Sequence, residues 1–290
     1  MTSLNPQTKR IVAIHDLSGF GRCSLTVALP VISASGVECS CIPTAVLSTH
    51  TAIQGFQIRD LSTEIVSIAG HWSSLGLHFD GIYSGYLASP EQAHLLETVI
   101  AMLKKEDTLV IIDPVMADNG EYYSALDDRM CCAFRKLCAS ADVITPNITE
   151  AALLAGIPYE EAPHSPDYIH RLLTALSKLC KDMIVLTGVH PTKEQVGVVA
   201  LNCKTGATYM HMNPIQDGAF YGTGDIFASA LAALLVRGVE MDAALKLSLD
   251  LVNRSICRTA ALDVPREYGV DFESVLPEYV LQVGALCFEQ

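Results

Sequence analysis

The run Tyr221, Gly222, Thr223, Gly224, Asp225 places two glycines and a carboxylate immediately before a helical pattern. Ile226, Phe227, Ala230, Leu231, Leu234 and Leu235 recur with a 3.6-residue period, and Ala228, Ser229, Ala232 and Ala233 fill the other face. This predicts a buried helix over 225–237, stopped at Gly238. Backbone N–H groups at a helix start have no intrahelical partner and sit at the positive end of the helix dipole. Glycine lets an anion come close to them. Asp225 in that position either caps the helix or serves as a base facing a phosphate. The motif alone does not choose between the two.

The elements that must position these residues follow from periodicity and breakers. Strands are predicted over 10–15, 37–45, 81–86, 108–113, 142–147 and 183–188. Helices are predicted over 22–35, 65–75, 90–105, 124–138, 148–155 and 168–180. The helix over 90–105 has Pro90 at its start and two lysines in its last turn. Asn147 followed by Glu150 resembles a capping box for the helix over 148–155. An antiparallel hairpin spans 194–201 and 207–212, and helices over 241–262 and 272–284 close the chain.

Strands that alternate with helices imply an α/β fold in which a mostly parallel sheet is covered on both faces. The absence of a repeat or linker makes one domain over 1–290 the expectation. In such a sheet, ligands bind beyond the carboxyl ends of the strands. The polar stretches 16–21, 47–51, 85–86, 113–121, 145–150 and 187–188 each follow a strand, so they should converge on one edge with the glycine-rich helix start.

Composition narrows the classes. Half of the 290 residues are hydrophobic and the mean hydropathy is +0.32, yet no run of about 18 apolar residues exists, so no membrane span is expected. Such a chain buries a sheet on both faces and hides further apolar surface in an oligomer. A net charge of −13 argues against nucleic acid and anionic membranes as partners. The ten cysteines include no C-x-x-C pair and no zinc-ligand spacing with histidine. No apolar stretch precedes Lys9 and Arg10, so a cytoplasmic protein with free thiols is expected. His15, His71, His78, His94, His164, His170, His190 and His211 read as structural or surface residues.

Six pieces, in order, then carry a resemblance: Ala13-Ile14 with the 16–21 turn, Ser48-Thr49-His50-Thr51, Ser84-Gly85-Tyr86-Leu87, Asp113-Pro114-Val115-Met116, Thr145-Pro146-Asn147 with Glu150, and Gly222-Thr223-Gly224-Asp225. From 11 to about 261 the chain resembles the pyridoxal/pyridoxamine kinase family of the ribokinase-like superfamily. The resemblance implies a three-layer αβα fold with an antiparallel edge hairpin. It also implies ATP-dependent phosphorylation of the 5′-hydroxymethyl group of a B6 vitamer, in salvage of pyridoxal 5′-phosphate. By matching position, Asp225 is the base, and the N–H groups of Gly222, Thr223 and Gly224 receive charge developing on the transferred phosphoryl group. Asp113, Asp118 and Glu150 look like the set that holds Mg²⁺ directly or through water. Asn147, Thr187 and Gly188 look like nucleotide-phosphate contacts, with Tyr123 over the ATP side.

His50, Thr51 and Tyr86 fall where the family surrounds the pyridine ring, although His50 also reads as a hydrogen-bonded structural residue. Two departures bear on that ring. Asp16 replaces a serine that contacts it in the animal and enterobacterial enzymes, and also reads as a turn residue. Tyr221 replaces a smaller aliphatic residue. The resemblance further implies a homodimer and allows a monovalent cation such as K⁺ near the phosphates. The alternatives are a hydroxymethylpyrimidine kinase of thiamin synthesis, a non-catalytic vitamer-binding protein, and a sugar kinase, against which the missing β-lid counts.

Overall fold

The computed structural model describes residues 8–288, apart from 125 and 181. Its first half reads β1 (Arg10–Ser18), α1 (Leu25–Ala34), β2 (Glu38–Leu47), β3 (Ile58–Asp60), α2 (Ser62–Ser74), β4 (Gly81–Ser84), α3 (Pro90–Leu103) and β5 (Leu109–Ile112). A small hairpin, β6 (Ala117–Asp118) and β7 (Glu121–Tyr122), leads to α4 (Asp128–Ser140), β8 (Val143–Ile144), α5 (Ile148–Ala155) and α6 (Pro166–Leu176). The remainder is β9 (Met183–Val189), β10 (Gln195–Asn202), β11 (Thr208–Pro214), α7 (Thr223–Val236), α8 (Met241–Ala260) and α9 (Leu276–Phe288), with a 3₁₀ turn at Arg266–Tyr268.

One nine-stranded sheet runs in the order β11-β10-β9-β8-β5-β4-β1-β2-β3. The strands from β2 to β9 in that order are parallel, while β3 at one edge and β10 and β11 at the other are antiparallel. Along β1 the buried residues alternate between two cores. Val12 and Ile14 face the core that holds α2 to α6, and Ile11 and Ala13 face the one that holds α1, α7, α8 and α9. This is the three-layer arrangement expected, with the edge hairpin in place. α7 is apolar almost all round, and burying Ile226, Phe227, Leu231 and Leu234 contributes roughly 1.5–3 kcal/mol each. A helix so anchored holds its first turn rigidly against the sheet.

The strand order reverses at β1, which has β2 on one side and β4 on the other. A crevice therefore opens beyond the carboxyl ends of β1 and β4. The structure corrects several expected boundaries around it. β1 continues through Asp16 to Ser18, across an irregularity between His15 and Leu17, instead of ending in a turn at Asp16. It can do so because the hydroxyls of Ser18 and Ser24 satisfy the Asp16 carboxylate internally. α1 begins at Leu25, since residues 19–24 are used to cross over the strand ends.

α4 starts at Asp128, where the Asp127 carboxylate accepts from Arg129 N–H, not at 124; residue 125 of that expected helix lies outside the described residues. α3 ends before its two lysines. α6 starts two residues early on a Ser165 cap with Pro166 behind it. The edge strand β3, the β6–β7 hairpin and the 3₁₀ turn carry too few residues to show a period. Among the described residues no helix is long and apolar enough to cross a membrane, and the cysteines described are free thiols.

Candidate active site

α7 opens on Gly222 at φ +80°, and no side chain caps it. A Cβ at Gly222 would stand 2.0 Å from the Arg22 carbonyl oxygen, so only glycine allows both the left-handed turn and this close approach. Thr223 is tied by its hydroxyl to the Phe220 carbonyl at 3.4 Å. The space a side chain on Gly224 would enter is open. The first turn of α7 therefore offers free N–H groups to the crevice.

Asp225 lies in that turn, partly buried. Its Oδ2 accepts from the Ser24 backbone N–H at 2.8 Å. Burial raises its pKa to about 7, helped by the negative Asp16 and opposed by the Ser24 bond. Asp113, at the end of β5 and 6 % exposed, is also pushed well up, first by burial and then by the charge of Asp225. Glu150, 2 % exposed, is raised by burial and then by Asp113. Asp113 thus stands within electrostatic reach of Asp225, and Glu150 within reach of Asp113. Tyr123 reports the same neighbourhood: burial raises its phenol, followed by the charges of Glu150, Asp118, Asp113 and Asp225.

The structure does not gather Asp113, Asp118 and Glu150 into a tight ligand set. Among the described residues, the His/Cys/Asp/Glu group whose donor atoms all lie within 4.8 Å is His78, Asp80 and Asp107, at the opposite ends of the strands. Glu150 already accepts from the N–H groups of Met116 at 3.1 Å and Asn147 at 2.9 Å. Asp118 is exposed on the β6–β7 hairpin, with its carboxylate bonded to the N–H and side-chain amide of Asn119. Among the described residues none of Asp16, Asp113, Asp118, Glu150 and Asp225 forms a salt bridge. Buried carboxylates without a cationic partner, as Asp16, Asp113 and Glu150 are here, are costly unless they are hydrogen-bonded, protonated or matched by a cation.

The capping box at α5 is complete. Asn147 Oδ1 accepts from Glu150 N–H, Glu150 accepts from Asn147 N–H, and Asn147 Nδ2 donates to the Ala117 carbonyl at 2.8 Å. Asn147 also pairs with Thr187 through an isolated bridge, which brings Gly188 (φ +64°) to the same rim.

On the other side of the crevice, Asp16 is 4 % exposed and accepts from Ser24 Oγ at 2.6 Å and Ser18 Oγ at 3.1 Å. Burial raises the Tyr86 phenol, with the Asp16 charge second, so Tyr86 stands near that acid. His50 Nδ1 accepts from Ala52 N–H at 3.3 Å, which fixes the tautomer in which Nε2–H donates to the Glu267 carbonyl. Its ring lies 5.5 Å from that of Tyr221. Thr51 is exposed and Tyr221 is 41 % exposed. Tyr221 lines a depression of about 520 Å³ with Ile53, Gln54, Arg266, Glu267 and Tyr268.

Two features escaped the sequence reading. Ser24 bridges Asp16 and Asp225 from a backbone conformation of φ +51°, ψ −131°, rare for a residue with a side chain and costing about 1–3 kcal/mol. The segment 265–269 folds back on the 19–24 crossing and on His50, where the Tyr268 carbonyl accepts from Arg22 N–H and the Glu267 carbonyl from His50, with Pro265 and Gly269 as its sequence signals. His15, expected to be structural or surface, is wholly buried beneath Gly85, where a Cβ would meet its ring at 2.2 Å; burial lowers its pKa to about 3, and neither ring nitrogen has a partner among the described residues.

Residues 27–269 match the family described as phosphomethylpyrimidine kinase. A Bacteroides thetaiotaomicron structure assigned to phosphomethylpyrimidine kinase and crystallised with pyridoxal is 35 % identical, with a TM-score of 0.89 over 94 % of this chain and 96 % of its own. Pyridoxal kinase from Lactobacillus plantarum is 32 % identical, with a TM-score of 0.86 over 94 % of this chain and 97 % of its own. The pyridoxine/pyridoxal/pyridoxamine kinase of Bordetella avium is 26 % identical across 87 % of this chain and 86 % of its own. The chain belongs to the phosphomethylpyrimidine kinase family and is a kinase that groups with the pyridoxal kinases of the ribokinase-like fold.

Proposed function

We propose that the chain transfers the γ-phosphoryl group of ATP to the 5′-hydroxymethyl group of a B6 vitamer. The observation that carries this reading is the Asp225 carboxylate, poised with a pKa of about 7 in the uncapped first turn of α7. A general base works best when its pKa lies near the working pH. Asp225 takes the hydroxyl proton as the substrate oxygen attacks the phosphorus, with Oδ2 already held by Ser24. The N–H groups of Gly222, Thr223 and Gly224 stabilise the charge that develops on the phosphoryl oxygens. His50, Tyr86 and Tyr221 surround the ring, and the exposed Thr51 stands at the rim.

The donor set fits Mg²⁺, a hard cation that takes oxygen ligands and keeps several waters. Asp113, Asp118 and Glu150 would hold it directly or through water, with both Glu150 oxygens already accepting from backbone N–H groups. When bound, Mg²⁺ supplies neutralisation of the nucleotide phosphates. Asn147, Thr187 and Gly188 line the nucleotide side, with Tyr123 beside them. K⁺ near the phosphates, a cytoplasmic location and a homodimer belong to the same reading. Potassium dependence, localisation and sedimentation velocity test them.

A second reading, hydroxymethylpyrimidine phosphorylation, draws support from the family description. The pyridoxal bound in the 35 %-identical relative favours the vitamer. The decisive assay couples ADP release to Mg²⁺-dependent turnover on pyridoxal, pyridoxamine, pyridoxine and hydroxymethylpyrimidine in parallel. Turnover on at least one vitamer above the pyrimidine is expected. Turnover on the pyrimidine alone would transfer the same residues to thiamin synthesis.

A further inference from the structure

Asp16 and Asp225 come from opposite ends of the chain, yet one residue joins them. Ser24 gives its backbone N–H to Asp225 Oδ2 and its hydroxyl to Asp16 Oδ1. It stands immediately before α1, where a serine hydroxyl ordinarily accepts from a backbone N–H of the first turn. Here no such bond forms, and the hydroxyl is turned to Asp16. The Ser24 carbonyl meanwhile starts α1 by accepting from Ala28 N–H at 2.8 Å. These bonds hold Ser24 at φ +51°, a conformation its Cβ disfavours, and that conformation aims the N–H at the base.

We propose that Ser24 is a positioning residue for the phosphoryl-transfer base, and that Asp16 acts on the reaction through Ser24, not through the substrate ring. Both Asp16 oxygens are engaged, Oδ1 by Ser24 and Oδ2 by Ser18, and the residue is 4 % exposed. It has little surface left to offer a ring. The Asp16 clamp holds the strained turn, and the turn delivers one N–H to the oxygen of Asp225 that does not receive the proton. Without the clamp the chain relaxes to negative φ, and Asp225 loses both a hydrogen bond and its fixed orientation. The proposal rests on Asp225 being the base of a vitamer kinase.

Kinetics of Ser24→Ala, Ser24→Gly and Asp16→Ala test it, with wild type and Asp225→Asn as controls and thermal unfolding to verify folding. Alanine keeps the N–H but loses the clamp, so kcat for the accepted vitamer falls about tenfold or more while its KM stays within about twofold. Glycine takes positive φ unaided, so Ser24→Gly keeps at least about five times the kcat of Ser24→Ala, the reverse of what added flexibility alone would give. Asp16→Ala matches Ser24→Ala in kcat, and the double variant is no worse than either single one.

Wild-type kcat in Ser24→Ala, equal damage in the alanine and glycine variants, or an Asp16→Ala effect confined to vitamer KM would each overturn the proposal. Failure of the functional reading has a different signature: wild type shows no vitamer turnover, or Asp225→Asn retains it.

Discussion

Two helix starts face the same crevice and are built in opposite ways. α5 begins with a closed capping box in which Asn147 and Glu150 satisfy each other's N–H groups and Asn147 also holds the Ala117 carbonyl. α7 begins on a left-handed glycine with no side-chain cap, and its one carboxylate is held by a residue of another element. Physical chemistry wants the first N–H groups of any helix satisfied. α5 answers that demand internally and becomes a rigid wall. α7 leaves its first turn without a side-chain cap, and its burial on the sheet makes up for the missing cap. The comparison separates scaffold from chemistry more sharply than exposure does, since Glu150 is more buried than Asp225.

The strongest way to break this contrast is to neutralise the carboxylate of the open start. Asp225→Asn should lower kcat by about 10²–10⁴-fold, the span of general-base catalysis, while pyridoxal binding by titration calorimetry is largely kept. A variant with near-normal kcat would make Asp225 a mere first-turn carboxylate. In the wild type, kcat/KM should fall as pH drops through about 7, because the base must be unprotonated to accept the proton. A profile flat from pH 8 to 5 would contradict that assignment.

Next in size is the glycine that keeps the start open. In Gly222→Ala the new Cβ meets the Arg22 carbonyl, so either the 19–24 crossing or the first turn of α7 must move. We expect kcat to fall by roughly 10²-fold, as misplacing groups by an ångström does. The stability loss should exceed that for alanine at Gly224, where the space is open. Equal losses at the two glycines would mean that the crossing is soft.

The same two starts show how far the sequence could be read. Asn147 and Glu150 announce the α5 box three residues apart, and the helix bounds follow to the residue, because every partner is local. The parallel order and both helical layers are legible from the hydrophobic periods alone. At α7 the glycines and Asp225 are legible, but the residue that holds Asp225 lies 201 positions away. No local pattern distinguishes Ser24 from an ordinary helix cap. Asp16 was expected to touch the ring because it stands where related enzymes place a ring-contacting serine; in the structure β1 extends past it and both its oxygens accept from serine hydroxyls. Tertiary hydrogen bonds of this kind leave no period.

The open start also carries a stability cost that depends on pH. Asp225 has a folded-state pKa of about 7 against an ordinary value of 3.8, so the fold prefers its neutral form. A raised pKa favours the folded state fully below the unfolded value, and the benefit is lost as pH rises through about 7. Asparagine cannot ionise, so without divalent cation Asp225→Asn should be more stable than wild type at pH 8, by on the order of 1–3 kcal/mol once solvent access to the group is allowed for. The gain should shrink towards zero near pH 4. Equal unfolding temperatures at pH 8 would show that the carboxylate is solvated and not tuned by burial.

The smallest effect belongs to the closed start, and it decides what Asn147 is for. Asn147→Ala removes the acceptor for Glu150 N–H and the donor to Ala117, both within the scaffold. Losing an N-cap of this type costs about 1 kcal/mol, which in a chain of this size lowers the unfolding temperature by a few degrees. If the residue is architectural, KM for ATP rises by less than about tenfold, through the disturbed Glu150 and the β6–β7 hairpin. Were KM for ATP to climb far beyond that with the unfolding temperature unmoved, Asn147 would be a phosphate ligand. Its amide would then have to leave the Glu150 N–H for the nucleotide, and the closed start would open when substrate binds, as the other already stands.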